Sequence, residues 1–455
     1  TLFRSAGTAL FGATLPASFT LHMVMRSEEP ATVLVGPDTA DVDQFELPGG
    51  TAVAVRCERR AGGDEPLPDH LRFHVAGGPV EVLSMEGYEM LPPRPETGST
   101  EREEFTDPDT GARIVRLTHS CYEDKHAYYD VDPWSPDGSR ILFCSALPAQ
   151  RDSSIWTMDA DGGNIRKVGE GSSFGYHCGN FPLWAPDGQS VYWHDSREID
   201  GERTSGTVRH FLGDGREQFL PFGVRQVSPQ GLLLDTVSNP EVAPCGLYLS
   251  DADGTNRRLL ASTDAILALS PSRELAAEQG LRLNLQNCKW NADGSRCFVV
   301  FCGRDERGAA QFVEVFSMNA DGSELTFSCS IAHHPIWHPD GEHILFNAGD
   351  GMYLVRWDGT DLRKVSDCNV GHPSFSRDGS MIVTDGYGAE WGDALWLIDP
   401  ETGATTKLCT VPTVHGRSHE RGTHPHPVWS PDGRSILYDS DQTGHCQLYQ
   451  VFVPK

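Results

Sequence analysis

From residue 113 onward, short apolar runs alternate with polar turns at a spacing too tight for helices. One pattern returns seven times. It reads PWSPDGSRILF from Pro133, PLWAPDGQSVYW from Pro182, CKWNADGSRCFVV from Cys288, PIWHPDGEHILF from Pro335, PSFSRDGSMIV from Pro373 and PVWSPDGRSILY from Pro427, with a degenerate copy, VRQVSPQGLLLDTV, from Val224. Each copy is an alternating apolar stretch, a tight turn and a second β-rich stretch. Alternation with period two marks a strand with one buried face. Asp-Gly tolerates the positive φ angles of a two-residue hairpin turn, which is the turn expected here. Several copies run on into a third strand and a second turn, as in IWTMDADGGN from Ile155, LYLSDADGTN from Leu247 and VFSMNADGSE from Val315, and then into a fourth strand such as IRKVG or LRKVS. Four strands repeated seven times predict an all-β chain built on a seven-bladed β-propeller. A stacked solenoid would need shorter, more regular units. The last copy ends in QLYQVFV with no fourth strand, whereas RIVRLT, Arg113–Thr118, stands ahead of the first copy without a partner. Pairing the two would close the ring and remove its exposed edges.

Residues 1–95 lack the repeat. Their β-rich segments FTLHMVM, TAVAVRCERR and HLRFHVAG lie between Gly, Pro and Asp turns, and predict a small β-sandwich module, either a structural cap or a contact for carbohydrate or a partner. Residues 96–106, which overlap the stretch PPRPETGSTEREE, read as a linker, and 107–455 as the propeller. A length of 455 residues would ordinarily suggest about three domains, but the repeat makes most of the chain one unit.

Charge narrows the partners. A formal net charge of −27 repels nucleic acid and anionic membrane surfaces, so neither is expected as a partner. An anionic substrate would need a local positive site. The 12 cysteines are scattered without a CxxC pair, which argues against a zinc ribbon or disulfide scaffold and fits reduced thiols in the cytoplasm. No apolar run reaches the roughly 18 residues of a membrane helix. TLFRSAGTALFGATLP lacks the apolar centre of a signal peptide. A cytoplasmic location is therefore expected, or a periplasmic or secreted one if a leader was removed. Oligomeric state is not legible.

The chemistry lies in the repeat's register. Six residues before the Asp of each turn (Gln230 in the degenerate copy) stand Val131, Phe181, Val224, Asn287, His334, His372 and His426. Copies five, six and seven are consecutive, so their histidines are neighbours around the axis. Side chains two apart on a strand share a face, which adds His424. Neutral imidazole is a ligand for Mn, Fe, Ni, Cu and Zn, and the ring of blades replaces any tight sequence spacing. Histidines that merely satisfy backbone groups at a polar channel mouth are the alternative. The same rim gathers Lys125, His126, Tyr128, Tyr129 and His177, then Arg304, Arg307 and Glu314 of copy four, and His415, His419, Glu420 and Arg421 of copy seven. Trp134, Trp184, Trp290, Trp337 and Trp429, one strand step past the rim, are expected in the core.

GARIVRLT, VGHPSFSRDGSMIV and THPHPVWSPDGRSILYDSD resemble the oligogalacturonate lyases over about residues 105–455. The SPDG turn is common among propellers; HPHP with a histidine in register one blade earlier is far more specific. The resemblance implies a seven-bladed propeller that cleaves uronic-acid-containing oligosaccharides by metal-assisted β-elimination. It implies Mn2+ as the divalent metal cofactor, His372, His424 and His426 as metal ligands, and His334 as the base that removes the C5 proton. It also shows two departures. Arg421 stands where the family has a glutamine ligand, and Glu314 where it has a catalytic arginine. The expectation is that Glu314 reaches the metal while Arg421, Arg304 or Arg307 supplies the cation, with Tyr128 as a further catalytic group. The expected partner is an acidic oligosaccharide. A metal-dependent sugar isomerase or epimerase, and a non-catalytic protein-binding propeller, are the rival readings.

Overall fold

The computed structural model describes residues 94–147, 150–175, 177–369, 371–413 and 423–454, together with eight strands between residues 2 and 89. The chain divides into two units, residues 1–94 with 443–445, and residues 95–442 with 446–455.

The first unit is a β-sandwich of two four-stranded antiparallel sheets. One runs in the order Leu2–Phe3, Val80–Glu89, Ser18–Ser27, Thr51–Arg60, and the other Thr8–Gly12, His70–Gly77, Ala31–Gly36, Asp43–Leu47. Met25 and Val33 are fully buried within it.

The second unit is the seven-bladed propeller. Its sheets follow the seven repeats in order, and the ring closes as the sequence predicts. Arg113–Arg116 pairs antiparallel with Gln447–Phe452, placing Ile114 opposite Val451 and Arg116 opposite Tyr449. Residues 96–106, which read as a linker, carry two further strands. Thr97–Ser99 extends the first blade and Glu103–Thr106 extends the closing blade.

The repeated turn differs from the two-residue hairpin expected of Asp-Gly. In the first copy the Gly138 amide donates to the Ser135 carbonyl and the Ser135 amide to the Arg140 carbonyl. Only Gly138, at φ 73°, has positive φ; Asp137 does not. Proline presets the second position of this wider turn. The Asp137 carboxylate then accepts from the Ser135 hydroxyl and from the Ser139 amide and hydroxyl. SPDGS is thus a self-satisfied loop.

The core lies between blades. Phe298, Val300 and Val315 of blade four pack with Trp337, Ile344 and Val355 of blade five. The five tryptophans are buried as expected. Three of them also stitch neighbours together: the indole N–H groups of Trp184, Trp337 and Trp429 donate to the carbonyls of Pro133, Lys289 and Ser374 in the preceding blades. Between blades three and four the chain inserts two short helices, Thr263–Leu269 and Arg273–Gln279, which the strand pattern did not predict. Among the described residues no helix is long and apolar enough to cross a membrane.

Candidate metal centre

The seven register positions line the inner ends of the blades and divide the channel chemically. Val131, Phe181 and Val224 join Tyr128 and Tyr129 in one apolar cluster. Across from them stand His334, His372 and His426. Backbone conformation is part of this placement. Phe181, Asn287, His334 and His426 all have positive φ, between 46° and 57°. For a residue with a side chain this costs about 1 kcal/mol or more, and it persists only where the surroundings enforce it.

The imidazoles converge. Ring centroids of His372 and His426 lie 4.4 Å apart, His372 and His424 5.4 Å, and His424 and His426 5.6 Å. Three ligand atoms, one each from His177, His372 and His426, all lie within 4.8 Å of one another. His372 is held by Asp385: its amide donates to Oδ1 at 2.6 Å, and both carboxylate oxygens lie 3.1 Å from Nδ1. That proton fixes the tautomer and leaves Nε2 as the free lone pair, the usual support of a metal-bound histidine. Gly371 makes this contact geometrically possible. A Cβ there would lie 2.0 Å from the Asp385 carbonyl oxygen.

His426 is fully buried, and neither of its ring nitrogens has a hydrogen-bond partner among the described residues. Buried orphan nitrogens are costly unless something else satisfies them. Together with an all-imidazole donor set, they fit a divalent transition-metal ion. Burial, then His372, pushes His426 and His334 well below the ordinary imidazole range, so both rings are neutral, the form that binds a metal or accepts a proton.

His334 sits beside this group, 4.1 Å from His372 and 5.4 Å from Tyr129 between ring centroids. Its Nδ1 lies 2.7 Å from the Gly371 carbonyl, an acceptor only, so Nδ1 carries the proton and Nε2 is basic. Tyr128 packs edge-on to His426 at 4.6 Å and to His372 at 5.6 Å. Burial, then Asp130, raises its phenol far above the usual range, so its hydroxyl stays protonated.

The structure does not bring Glu314 to the histidines. Its buried carboxylate accepts from the Ser270 hydroxyl at 2.7 Å and the Ser272 hydroxyl at 2.6 Å, both in the helical insertion. The expected ligand is instead an anchor for that insertion. Arg304 is not gathered either: its guanidinium donates to Gly308 at the tip of its own hairpin. Arg307 lies in the same turn. Arg421, His415, His419 and Glu420 lie outside the described residues.

Two cations that sequence reasoning passed over share the buried Asp130 carboxylate. Buried Lys289 pairs with Asp130 at 2.8 Å and donates to the Tyr129 hydroxyl and the Pro335 carbonyl. Arg225 pairs with Asp130 at 2.5 Å and reaches Asn287 at 3.3 Å. Both follow register positions directly or by two residues, which is the signal that could have found them.

No family model matches the chain. An oligogalacturonide lyase of Pectobacterium atrosepticum is 26% identical over 193 residues, 34% of this chain and 47% of the lyase. A solved oligogalacturonate lyase in complex with manganese superposes with a TM-score of 0.58 at 18% identity, covering 80% of this chain and 99% of that one. The propeller resembles the oligogalacturonate lyases. The chain also matches the uncharacterized protein Atu1656 of Agrobacterium fabrum, at 25% identity over 278 residues, 56% of this chain and 83% of the relative. The sequence match to the Pectobacterium lyase spans about half of that enzyme's length, and the structural likeness to the manganese-bound lyase is one of fold.

Proposed function

We propose that this lyase-like propeller cleaves uronic-acid-containing oligosaccharides by metal-assisted β-elimination. The observation that carries the reading is His334: a half-buried, neutral imidazole with its proton fixed on Nδ1, in ring contact with a histidine whose own Nδ1 is held by a carboxylate.

His372, His424 and His426 would hold the divalent ion, with Mn2+ as the proposed metal. Bound there, such an ion supplies a Lewis acid for the uronate carboxylate. The C5 proton is weakly acidic because it lies α to that carboxylate. His334 Nε2 takes this proton; the C5 electron pair forms the C4–C5 double bond; and the bond from C4 to its oxygen breaks. To Tyr128, whose hydroxyl stays protonated, we assign the return of a proton to the leaving oxygen. Arg421 remains the proposed cation for the substrate carboxylate, where charge accumulates as the proton leaves.

The reading is tested by incubating the protein with oligogalacturonides and following the ultraviolet absorbance of the conjugated product. Absorbance should rise with Mn2+ and stop with a chelator. Epimerised or isomerised sugar without absorbance would replace elimination by the rival proton-transfer chemistry. No change in any uronate, with or without metal, would overturn the enzymatic reading.

A further inference from the structure

His177 stands in the second blade's loop, far in sequence from the three histidines discussed above, and the proposed mechanism gives it no task. We propose that His177 is a fourth metal ligand, so that the ion is held by four imidazoles drawn from both sides of the channel. The inference rests on the reading that this site binds a metal, and its support is geometric.

A metal–imidazole bond of about 2.1 Å places a ring centre about 3.2 Å from the ion, so ligating rings at mutual angles of 90–180° have centres about 4.5–6.4 Å apart. His177 lies 4.9 Å from His424, 4.9 Å from His426 and 6.2 Å from His372. The other three separations run from 4.4 to 5.6 Å. All six centroid separations fall close to the range that one shared centre requires; at the level of donor atoms the grouped set is His177, His372 and His426, and His424 joins it by ring separation alone. His177 also satisfies the stricter condition, with a ligand atom within 4.8 Å of those of both His372 and His426.

The loop that carries it is built for presentation. Gly175 and Gly179 exchange two backbone hydrogen bonds, 3.1 and 2.7 Å long, which close a tight loop with His177 inside it. Gly179 has φ 56°, and a Cβ there would lie 2.1 Å from the Cys144 sulfur, so the loop seats against the first blade only with glycine. Phe174, buried, anchors its other end. His177 itself is exposed, as a ligand on the open side of a centre would be.

Four neutral nitrogen donors bring no negative charge to the ion. Such a set disfavours Mg2+ and Ca2+, which take oxygen donors. It also ties the second blade to the sixth and seventh across the channel.

The test uses the full chain stripped of metal. Mn2+ and Ni2+ affinities are measured by calorimetry for the wild type, His177→Ala and, as a control on the outer turn of the fifth blade, His343→Ala. The Cu2+-loaded proteins are compared by electron paramagnetic resonance, which counts coordinated nitrogens. The expected result is one tight site in the wild type and His343→Ala, weakened at least about tenfold in His177→Ala, with one fewer imidazole nitrogen on Cu2+. Equal affinity and equal nitrogen count in His177→Ala would overturn this inference alone. A wild-type protein that binds none of the three ions would overturn the metal centre itself. A circular dichroism melt of each metal-free protein separates ligand loss from unfolding, because His177 is exposed and its removal should leave the melt unchanged.

Discussion

The histidines of the channel share a residue type but not an environment. His372 has its Nδ1 held by Asp385, His334 donates to a carbonyl, and His426 has two orphan nitrogens among the described residues. On the proposed function, these differences distinguish the ligands from the base. They also set the pH behaviour of the proposed reaction. A general base must be neutral, and burial together with His372 holds His334 well below the usual imidazole value of about 6.5. A divalent ion on His372 would push in the same direction. The acid limb of kcat/KM, read from a pH–rate profile, should therefore lie below about pH 6.5. An acid limb at or above that value would show that some other, unshifted group is the base.

At the scale of the element, the blade repeat was legible because its turn, its tryptophan and its period two recur, and recurrence does not depend on any one residue. The histidine register was legible for the same reason. What the repeat does not encode was not legible. Glu314 aligned with a catalytic position, but its partners Ser270 and Ser272 lie in an insertion that exists only in this interval of the chain. Likewise Lys289 and Arg225, from blades four and three, meet only where the fold brings both to Asp130 of the first blade. His177 could be assigned to the rim from topology, but its approach to His372 and His426 depends on a loop closed by two glycines. The Glu314 assignment is checkable. Removing a buried carboxylate that accepts two hydroxyl hydrogen bonds should cost about 3 kcal/mol, so Glu314→Ala should lower the stability seen in denaturant melts while metal content stays at the wild-type level. Metal loss at unchanged stability would instead return Glu314 to the ligand set.

For the whole molecule, the propeller serves as a device for convergence. No two of His177, His334 and His372 are near in sequence, yet one channel mouth collects them. Val131, Phe181 and Val224 form an apolar cluster with Tyr128 and Tyr129, whose rings pack against the histidines. On the proposed function, a formal net charge of −27 would disfavour a long polyanion and suit a short acidic oligosaccharide. The central claim divides labour within the mouth: His334 moves the proton, and the neighbouring histidines hold the metal. The most direct measurement is bound metal and oligogalacturonide turnover on the same preparations of His334→Ala and His424→Ala. The account predicts that His334→Ala keeps its metal and loses turnover, whereas His424→Ala loses both. Full turnover by His334→Ala would contradict it.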